Sequence, residues 1–243
     1  MHFKTIKTFF RYLETARHLS VSNAYRSFRV LSEDIPILVL SPDRLQFLIY
    51  DISFTNSLPE HLQKSKDIFI VGCTVGLRFS DLINISSANL ILWEGHTYLQ
   101  VKAKKTNTIT RIKLPEYVLE IFMKRKKGKQ LLPHISLHRF NNNIRAICRA
   151  AGWTEPVERN RNSYRRAISS KSSVTVPFCD LVTSHMMRRT SITTMLTLGM
   201  PELLVRRISG HSRNSTSFQK YVAFSQNFMD TEIDKIYSKL ETN

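Results

Sequence analysis

The chain has 243 residues, 42% of them hydrophobic and 23% charged, as in ordinary folded proteins of one or two domains. Its 36 Lys and Arg against 19 Asp and Glu give a net charge of +17, which is typical of proteins that bind a polyanion such as nucleic acid. The sequence contains no phosphate-loop, dinucleotide-binding, serine-hydrolase or zinc-protease motif, no signal peptide and no membrane span, and its three cysteines lack metal-ligand spacing. We therefore expect a soluble, cytoplasmic protein with free thiols.

Hydrophobic periodicity and start and stop residues predict helices at 4–18, from Ser41-Pro42, at 59–76, from Pro115 to the basic run 124–129, and at 137–151, 185–198 and 201–210. An apolar helical tail is predicted from about residue 226. Alternating runs at 90–93, 96–101 and 108–114 predict antiparallel strands, and the polar segment 159–176 predicts a loop or ribbon. The expected fold is mainly α with a small antiparallel β-sheet (α+β). Residues 1–40 are predicted to be the end of an upstream domain plus a linker, and 41–243 the main domain.

The positive charge is concentrated in one segment. Residues 102–171 contain 18 Lys and Arg and only 4 Asp and Glu, which places 14 of the 17 net charges there. A solvated basic surface is one interpretation, and contact with a nucleic-acid backbone is the other. The candidate contacts are Lys102, Lys104, Arg139, Arg145, Arg149, Arg161, Arg165 and Arg166.

Two histidines stand where a phosphate could bind. His185 and Arg188 are three residues apart, so they share one face near the start of a predicted helix, where backbone N–H groups favour an anion. Gly210 is predicted to end a helix in the left-handed conformation and thereby to fix the direction of His211. By itself, each feature is equally typical of an ordinary protein surface.

Three further residue types complete a possible reaction site. Arg78 follows a predicted helix end, and Asp81 is placed to hold its guanidinium for bidentate phosphate binding. Lys105, with Lys104 as the alternative, lies at the predicted hairpin tip and could donate a proton. Tyr221 follows the Gly-His turn, and a phenol needs neighbouring groups to act as a nucleophile.

The order and spacing of these residues resemble the tyrosine recombinase (phage integrase) family over about residues 41–225. The matching motifs are GLRFSD with Arg78, KKTN with Lys105, HMMR with His185 and Arg188, GHS with His211, and QKY with Tyr221. The segments VTSHMMRRT and ISGH look closest to integrases of bacterial conjugative transposons and related mobile elements. Asp81 stands where the family more often has Glu, and Tyr237 is the alternative nucleophile.

The resemblance implies a metal-independent DNA strand transferase, with no cofactor, that integrates or excises a mobile element. The implied catalytic residues are Arg78, Lys105, His185, Arg188, His211 and the nucleophile Tyr221, with Asp81 in support. Tyr221 would form a 3′-phosphotyrosyl intermediate, His185 would accept its proton, and Lys105 would protonate the leaving 5′-oxygen. The arginines and His211 would bind the phosphate. The implied fold is that of the tyrosine recombinase catalytic domain.

Two alternatives from other classes remain at this point: a type IB topoisomerase that relaxes supercoils, and a non-catalytic DNA-binding module of the same fold. The resemblance also implies double-stranded DNA as partner and a homo-oligomer of up to four copies on DNA, largely monomeric without it. Accessory DNA-bending proteins, no membrane, and action on the bacterial nucleoid are further expectations. Residues 1–40 would contain about one helix of a core-binding domain. The tail from about residue 226 is expected to pack either on its own domain or on a neighbouring protomer.

Overall fold

The computed structural model describes residues 3–27, 37–102, 109–124, 129–160 and 173–241. It divides into two compact units, one formed by residues 1–36 with 160–172 and the other by 37–159 with 173–243. Every site residue predicted above and described by the structure belongs to the second unit.

The first unit contains the predicted N-terminal helix. Helix α1 spans Phe3–Ala16 and is followed by a 3-10 helix over Asn23–Ser27. The buried Tyr25 donates its hydroxyl to Glu14 Oε2 over 2.6 Å, and its ring lies 5.5 Å from that of Phe10. These contacts hold the 3-10 helix against α1.

The helices of the second unit are α2 (Pro42–Tyr50), α3 (Ile52–Ser57), α4 (Glu60–Val75), α5 (Phe79–Leu82), α6 (Glu116–Met123), α7 (Leu137–Ala150), α8 (Phe178–Leu181), α9 (Ser184–Thr197), α10 (Glu202–Ser209) and α11 (Thr216–Glu241). Predicted boundaries are confirmed where a cap residue marked them. The Ser41 side chain accepts from the Arg44 N–H at the start of α2, and Gly76 ends α4 with φ +65°.

The sheet consists of β1 (Leu90–Trp93), β2 (His96–Lys102) and β3 (Ile109–Lys113) in that order, all antiparallel. Glu94 and Gly95 form the tight turn between β1 and β2, and both have positive φ, as a two-residue hairpin requires. A separate two-stranded ribbon pairs β4 (Pro156–Asn160) with β5 (Ser173–Pro177). The predicted fold class, mainly α with a small antiparallel sheet, is confirmed.

The core is built around α4, which is buried along most of its length. Helix α9 packs on α4 and on α11. A second, smaller cluster of buried side chains joins α9, α10 and α11; its members are Ile192, Leu196, Val205, Phe218 and Tyr221. All three cysteines are buried free thiols. Helix α9 therefore connects the main core to the C-terminal helices.

Several elements differ from the sequence prediction: the short helices α3, α5 and α8 and the 3-10 helix at Asn23–Ser27 are not predicted, and the tail helix starts earlier than expected. Helix α3 was not predicted, because its six residues carry no hydrophobic periodicity and none of them is buried. The tail does not begin a helix of its own near residue 226. It continues α11, which starts at Thr216 and contains Tyr221, because no residue that stops a helix occurs between them.

Candidate active site

Arg188 lies at the centre of the site, in the second turn of α9, and is only 5% exposed. Its Nη1 donates to the carbonyl oxygen of Gly76 over 2.9 Å, and its Nη2 donates to the carbonyl oxygen of Ser209. One guanidinium thus joins the end of α4 to the end of α10.

Two glycines allow α4 and α9 to approach closely. A Cβ atom on Gly72 would lie 2.3 Å from the Sδ of Met187, and one on Gly76 would lie 2.8 Å from the Oγ of Ser191. Ser191 in turn donates to the carbonyl oxygen of Thr74 over 3.0 Å. This close packing places Arg188 within reach of the α4 end.

The start of α9 is held by α7. Thr183 is the N-cap residue, yet its side chain makes no capping hydrogen bond. The Ser184 N–H donates instead to Oδ1 of Asn141 over 2.8 Å, and Nε of Arg145 donates to the carbonyl oxygen of Val182 over 3.2 Å. His185 follows in the first turn of α9; part of the residue is exposed to solvent, while the surrounding atoms desolvate the rest of its ring.

His211 is positioned by the turn after α10. Gly210 has φ +63°, and the His211 N–H donates to the carbonyl oxygen of Arg206 over 3.0 Å. The imidazole Nδ1 lies 2.8 Å from Oγ of Ser209 and 3.5 Å from Nη2 of Arg188. The prediction that Gly210 takes the left-handed conformation is confirmed.

Arg206 stabilises the turn that contains His211. Its Nη1 donates to the carbonyl oxygens of Ser212 and Arg213 over 3.1 and 3.2 Å, and its guanidinium lies 3.9 Å from the centre of the Phe218 ring. The side chain is 9% exposed. It therefore ties the His211 turn to the first turn of α11.

Tyr221 lies beside His211, with ring centres 6.0 Å apart and ring planes at 64°. It is 5% exposed and packs on Phe218 in the smaller core cluster. Its hydroxyl forms no hydrogen bond with any residue in the part of the chain that the structure describes.

Burial and like charges shape the electrostatics of this site. Burial, with the charges of Arg188, Arg78, Arg206 and His185, lowers the pKa of His211 to about 4. Burial and Arg78 lower the pKa of Arg188 to about 10, against the opposing effect of Tyr221 and Asp81. The pKa of His185 is lowered by desolvation and then by Arg189, Arg188 and Arg78.

Arg78 and Arg188 each lower the pKa of His185 and of His211, so these four side chains lie close enough to interact electrostatically. A bound anion would offset the repulsion between the two arginines, so the charges of the site favour an anion.

The phage integrase family matches residues 53–227, the span that holds all of these side chains. This chain belongs to the phage integrase family. No curated protein matches it.

Solved structures of integrases and recombinases share the fold. A lambda integrase dimer bound to a COC′ core site matches with a TM-score of 0.60, 16% identity, 90% of this chain and 71% of that one. The Tn1549 transposon integrase in complex with circular intermediate DNA matches with a TM-score of 0.58 and 20% identity, over 91% of this chain and 75% of that one. XerH recombinase bound to its difH substrate matches with a TM-score of 0.54 and 13% identity, over 87% of this chain and 57% of that one. This chain therefore spans little more than half of XerH. The predicted tyrosine recombinase catalytic-domain fold is confirmed.

Arg78 of this integrase-family chain is half-buried at the N-cap of α5, with extended backbone at φ −66° and ψ 147°. No ion pair joins it to Asp81 among the described residues. Two residues three apart within one helix lie on the same face, but Arg78 precedes α5 and only Asp81 lies within it. The spacing therefore does not bring these two side chains together. Oδ1 of Asp81 is buried without a hydrogen-bond partner in the described part of the chain.

The predicted backbone-contact residues fall into three groups. Lys104, Arg161, Arg165 and Arg166 lie outside the described residues, as does the predicted catalytic residue Lys105. Lys102 and Arg139 are exposed, at the end of β2 and in the first turn of α7. Arg145 donates to the carbonyl oxygen of Val182, and the exposed Arg149 donates to the carboxylate of Asp180.

Sequence reasoning missed the residues that hold the site together. Gly76 and Gly210 carried a helix-end signal, whereas Ser209, Arg206 and Asn141 carried none. Within the described residues, no group of three His, Cys, Asp or Glu side chains could hold a metal ion, and no helix is long and apolar enough to cross a membrane.

Proposed function

We propose that this chain is a site-specific DNA recombinase that cleaves and rejoins DNA through a 3′-phosphotyrosyl intermediate, for the integration or excision of a mobile element. The observation that carries the proposal is the position of Tyr221, whose ring lies 6.0 Å from His211, which in turn is 3.5 Å from the Arg188 guanidinium. A nucleophile beside desolvated cations suits attack on a phosphodiester.

The reaction is a transfer between two oxygens at one phosphorus. The phenol oxygen of Tyr221 forms a bond to the scissile phosphorus while the bond from phosphorus to the 5′-oxygen breaks. His185 takes the phenol proton, and Lys105 gives a proton to the leaving 5′-oxygen. Reversal with a 5′-hydroxyl from another strand reseals the DNA, so no energy-rich cofactor is consumed.

Arg78, Arg188 and His211 bind the non-bridging oxygens and stabilise the charge of the transition state. Arg188 is suited to this role because Gly76 and Ser209 hold it in place. Burial and Arg78 lower its pKa to about 10, so it keeps its positive charge at neutral pH. The cation is thus both fixed and poorly solvated, conditions under which electrostatic stabilisation is strongest.

Double-stranded DNA is the partner that fits the charge of the chain. Lys102 and Arg139 are exposed and available for phosphate contacts, and Lys104 and the arginines of 161–166 are included on the sequence argument alone. Arg149 is paired with Asp180, so it contributes less to this surface than its sequence position predicts.

Assembly into an oligomer of up to four copies on DNA is part of the proposal. Ser225 is buried, but Phe228, Ile233 and Tyr237 further along α11 are 38%, 41% and 59% exposed. A tail with these residues uncovered favours packing on a neighbouring protomer over packing on its own domain. Lambda integrase has been solved both as a dimer on a core site and as a tetramer on a Holliday junction.

The test is the capture of a covalent adduct. The protein is incubated with a pool of random-sequence duplexes carrying nicks that trap the intermediate, and adducts are isolated under denaturing conditions and sequenced. Wild type is expected to form adducts at a defined sequence, whereas Tyr221→Phe binds DNA but forms none. Tyr237→Phe is the matched control and retains the activity.

Two outcomes would contradict the proposal. Adduct formation by Tyr221→Phe would remove the assigned nucleophile, and binding without any adduct from wild type would indicate a non-catalytic DNA-binding module. Relaxation of a supercoiled plasmid that lacks the recovered sequence would indicate a topoisomerase instead.

A further inference from the structure

The connection between α10 and α11, residues 210–215, is held by one residue of α10, Arg206. The backbone carbonyl oxygen of Arg206 accepts from the His211 N–H over 3.0 Å. Its guanidinium Nη1 donates to the carbonyl oxygens of Ser212 and Arg213 over 3.1 and 3.2 Å. The main chain and the side chain of Arg206 thus bind three consecutive residues of this connection.

The same guanidinium also packs on the first turn of α11. Its central carbon lies 3.9 Å from the centre of the fully buried Phe218 ring, well within the range of a cation–π contact. The Phe218 ring lies 5.4 Å from the ring of His211 and 6.3 Å from that of Tyr221. Through this one ring, Arg206 reaches both the proposed nucleophile and the histidine beside it.

The burial of Arg206 makes these contacts decisive for where its side chain lies. A guanidinium that is 9% exposed is unfavourable unless its N–H groups are bonded. Its ion pair with Glu202 is long, at 3.5 Å, and Glu202 is half exposed, so this pair contributes little. The two carbonyl oxygens and the Phe218 ring therefore hold the guanidinium, and it holds them in return.

We propose that Arg206 is a positioning residue that fixes the connection between α10 and α11 and thereby sets the place of Tyr221 relative to His211. Arg206 acts through the backbone of the connection and through Phe218, and it does not bind the phosphate itself. The role of Tyr221 as nucleophile rests on the proposed recombinase function. The ordering of residues 210–221 by Arg206 does not.

The shape of the guanidinium suits this role. Its coplanar N–H groups bind two neighbouring carbonyl oxygens while its flat face stacks on an aromatic ring. Lysine keeps the positive charge but has no planar group, so Arg206→Lys separates charge from geometry. Arg207, the next residue, is exposed, and Arg207→Gln is the matched control for the loss of one positive charge from α10.

Amide hydrogen exchange of the full chain without DNA, measured by mass spectrometry, tests the ordering directly. In Arg206→Gln, the amides of residues 210–221 should exchange about tenfold faster or more, as expected for the loss of a hydrogen bond to a charged group. Those of α4 should exchange as in wild type. Arg206→Lys should give an intermediate result, and Arg207→Gln should match wild type.

Unchanged exchange of residues 210–221 in Arg206→Gln would overturn the proposal. An equal acceleration in α4 would also overturn it, because the variant would then have lost stability throughout the domain. This readout needs neither DNA nor activity, so it is independent of the recombinase assignment. Absence of any adduct from wild type would contradict the proposed function alone.

Adduct formation gives the second readout. At saturating DNA, the rate in Arg206→Gln should fall about 10- to 100-fold, because a displacement of about 1 Å in a reacting group costs up to about 100-fold. The DNA concentration that gives half the maximal rate should not change, since the buried guanidinium makes no phosphate contact. Arg206→Lys should recover part of the rate, and Arg207→Gln should keep all of it. A wild-type rate in Arg206→Gln, or a change confined to the half-saturating concentration, would contradict a positioning role.

Discussion

Nη1 of Arg188 donates to the carbonyl oxygen of Gly76 over 2.9 Å, although the two residues are 112 positions apart in the chain. Gly76 is two residues before Arg78, so this bond connects the backbone next to one proposed phosphate-binding arginine to the side chain of the other. The direction of the Gly76 carbonyl depends on its positive φ of +65°. The glycine conformation that ends α4 therefore also positions the carbonyl oxygen that holds Arg188 in the site.

Gly76→Ala should damage both stability and chemistry. The left-handed conformation costs a non-glycine residue about 1–2 kcal/mol. The added Cβ would also lie 2.8 Å from Oγ of Ser191, so either this hydroxyl leaves its bond to the Thr74 carbonyl or α9 shifts and carries Arg188 with it. We expect a loss of about 2–3 kcal/mol in unfolding free energy, measured by urea denaturation, and reduced adduct formation.

Gly152→Ala is the matched control. Gly152 has φ +75°, but a Cβ there meets nothing within 4 Å. In this variant only the left-handed backbone conformation is unfavourable. Its unfolding free energy should therefore decrease by about 1 kcal/mol, and its activity should stay the same. Equal effects of the two substitutions on adduct formation would show that the α4–α9 approach does not position Arg188.

Local signals explain the part of the structure that the sequence predicts well. Ser41, Gly76 and Gly210 each determine a helix end through their own backbone or side chain, and all three lie where predicted. The Glu94-Gly95 turn is another case, because its conformation depends on those two residues.

Contacts between distant segments explain what could not be predicted. Asn141 accepts from the Ser184 N–H across 43 positions, and Arg145 donates to the Val182 carbonyl across 37. Nothing in the local sequence distinguishes Arg145 from Arg139, so both were predicted to contact DNA. The role of Ser209 likewise depends on the fold, which brings Arg188 to its carbonyl oxygen.

The lowered pKa of His211 predicts that the unfolding free energy decreases as the pH falls below 6.5. Burial and neighbouring cations lower its pKa from 6.5 to about 4, so between these values the unfolded chain binds a proton that the folded chain does not. The stabilisation by neutral His211 is present above pH 6.5 and is lost as the pH falls towards 4. Because solvent reaches part of the imidazole, the loss attributable to this group is smaller than the roughly 3 kcal/mol that the full pKa difference would give.

His211→Gln removes this contribution, so its unfolding free energy should fall less steeply than that of wild type between pH 6.5 and 4. Denaturation curves at several pH values measure the difference. Parallel slopes for the two proteins would rule out a strongly lowered pKa at His211.

Arg139 and Arg149 should differ in their effect on DNA binding. Arg139 is exposed and forms no ion pair with a described residue, whereas Arg149 is paired with Asp180. Arg139→Gln should lower the slope of log affinity against log salt by about 1, as expected for the loss of one phosphate contact. Arg149→Gln should change it less. Binding curves from about 50 to 200 mM salt decide this, and a larger change from Arg149→Gln would reverse the assignment.

The exposed side of the α11 tail should act in assembly on DNA and contribute little to the fold of one chain. Phe228, Ile233 and Tyr237 are 38%, 41% and 59% exposed, so each replacement by Ser should change the unfolding free energy by about 0.5 kcal/mol, and the triple variant by about 1.5 kcal/mol. If these residues pack on a neighbouring copy, the triple variant should still bind DNA as a monomer but fail to form larger complexes. Size-exclusion chromatography with light scattering on the sequence recovered by adduct capture measures this. Ile52→Ser with Leu92→Ser, at positions 72% and 76% exposed, is the matched control and should assemble normally. A loss of several kcal/mol in the triple variant would instead place the tail on its own domain.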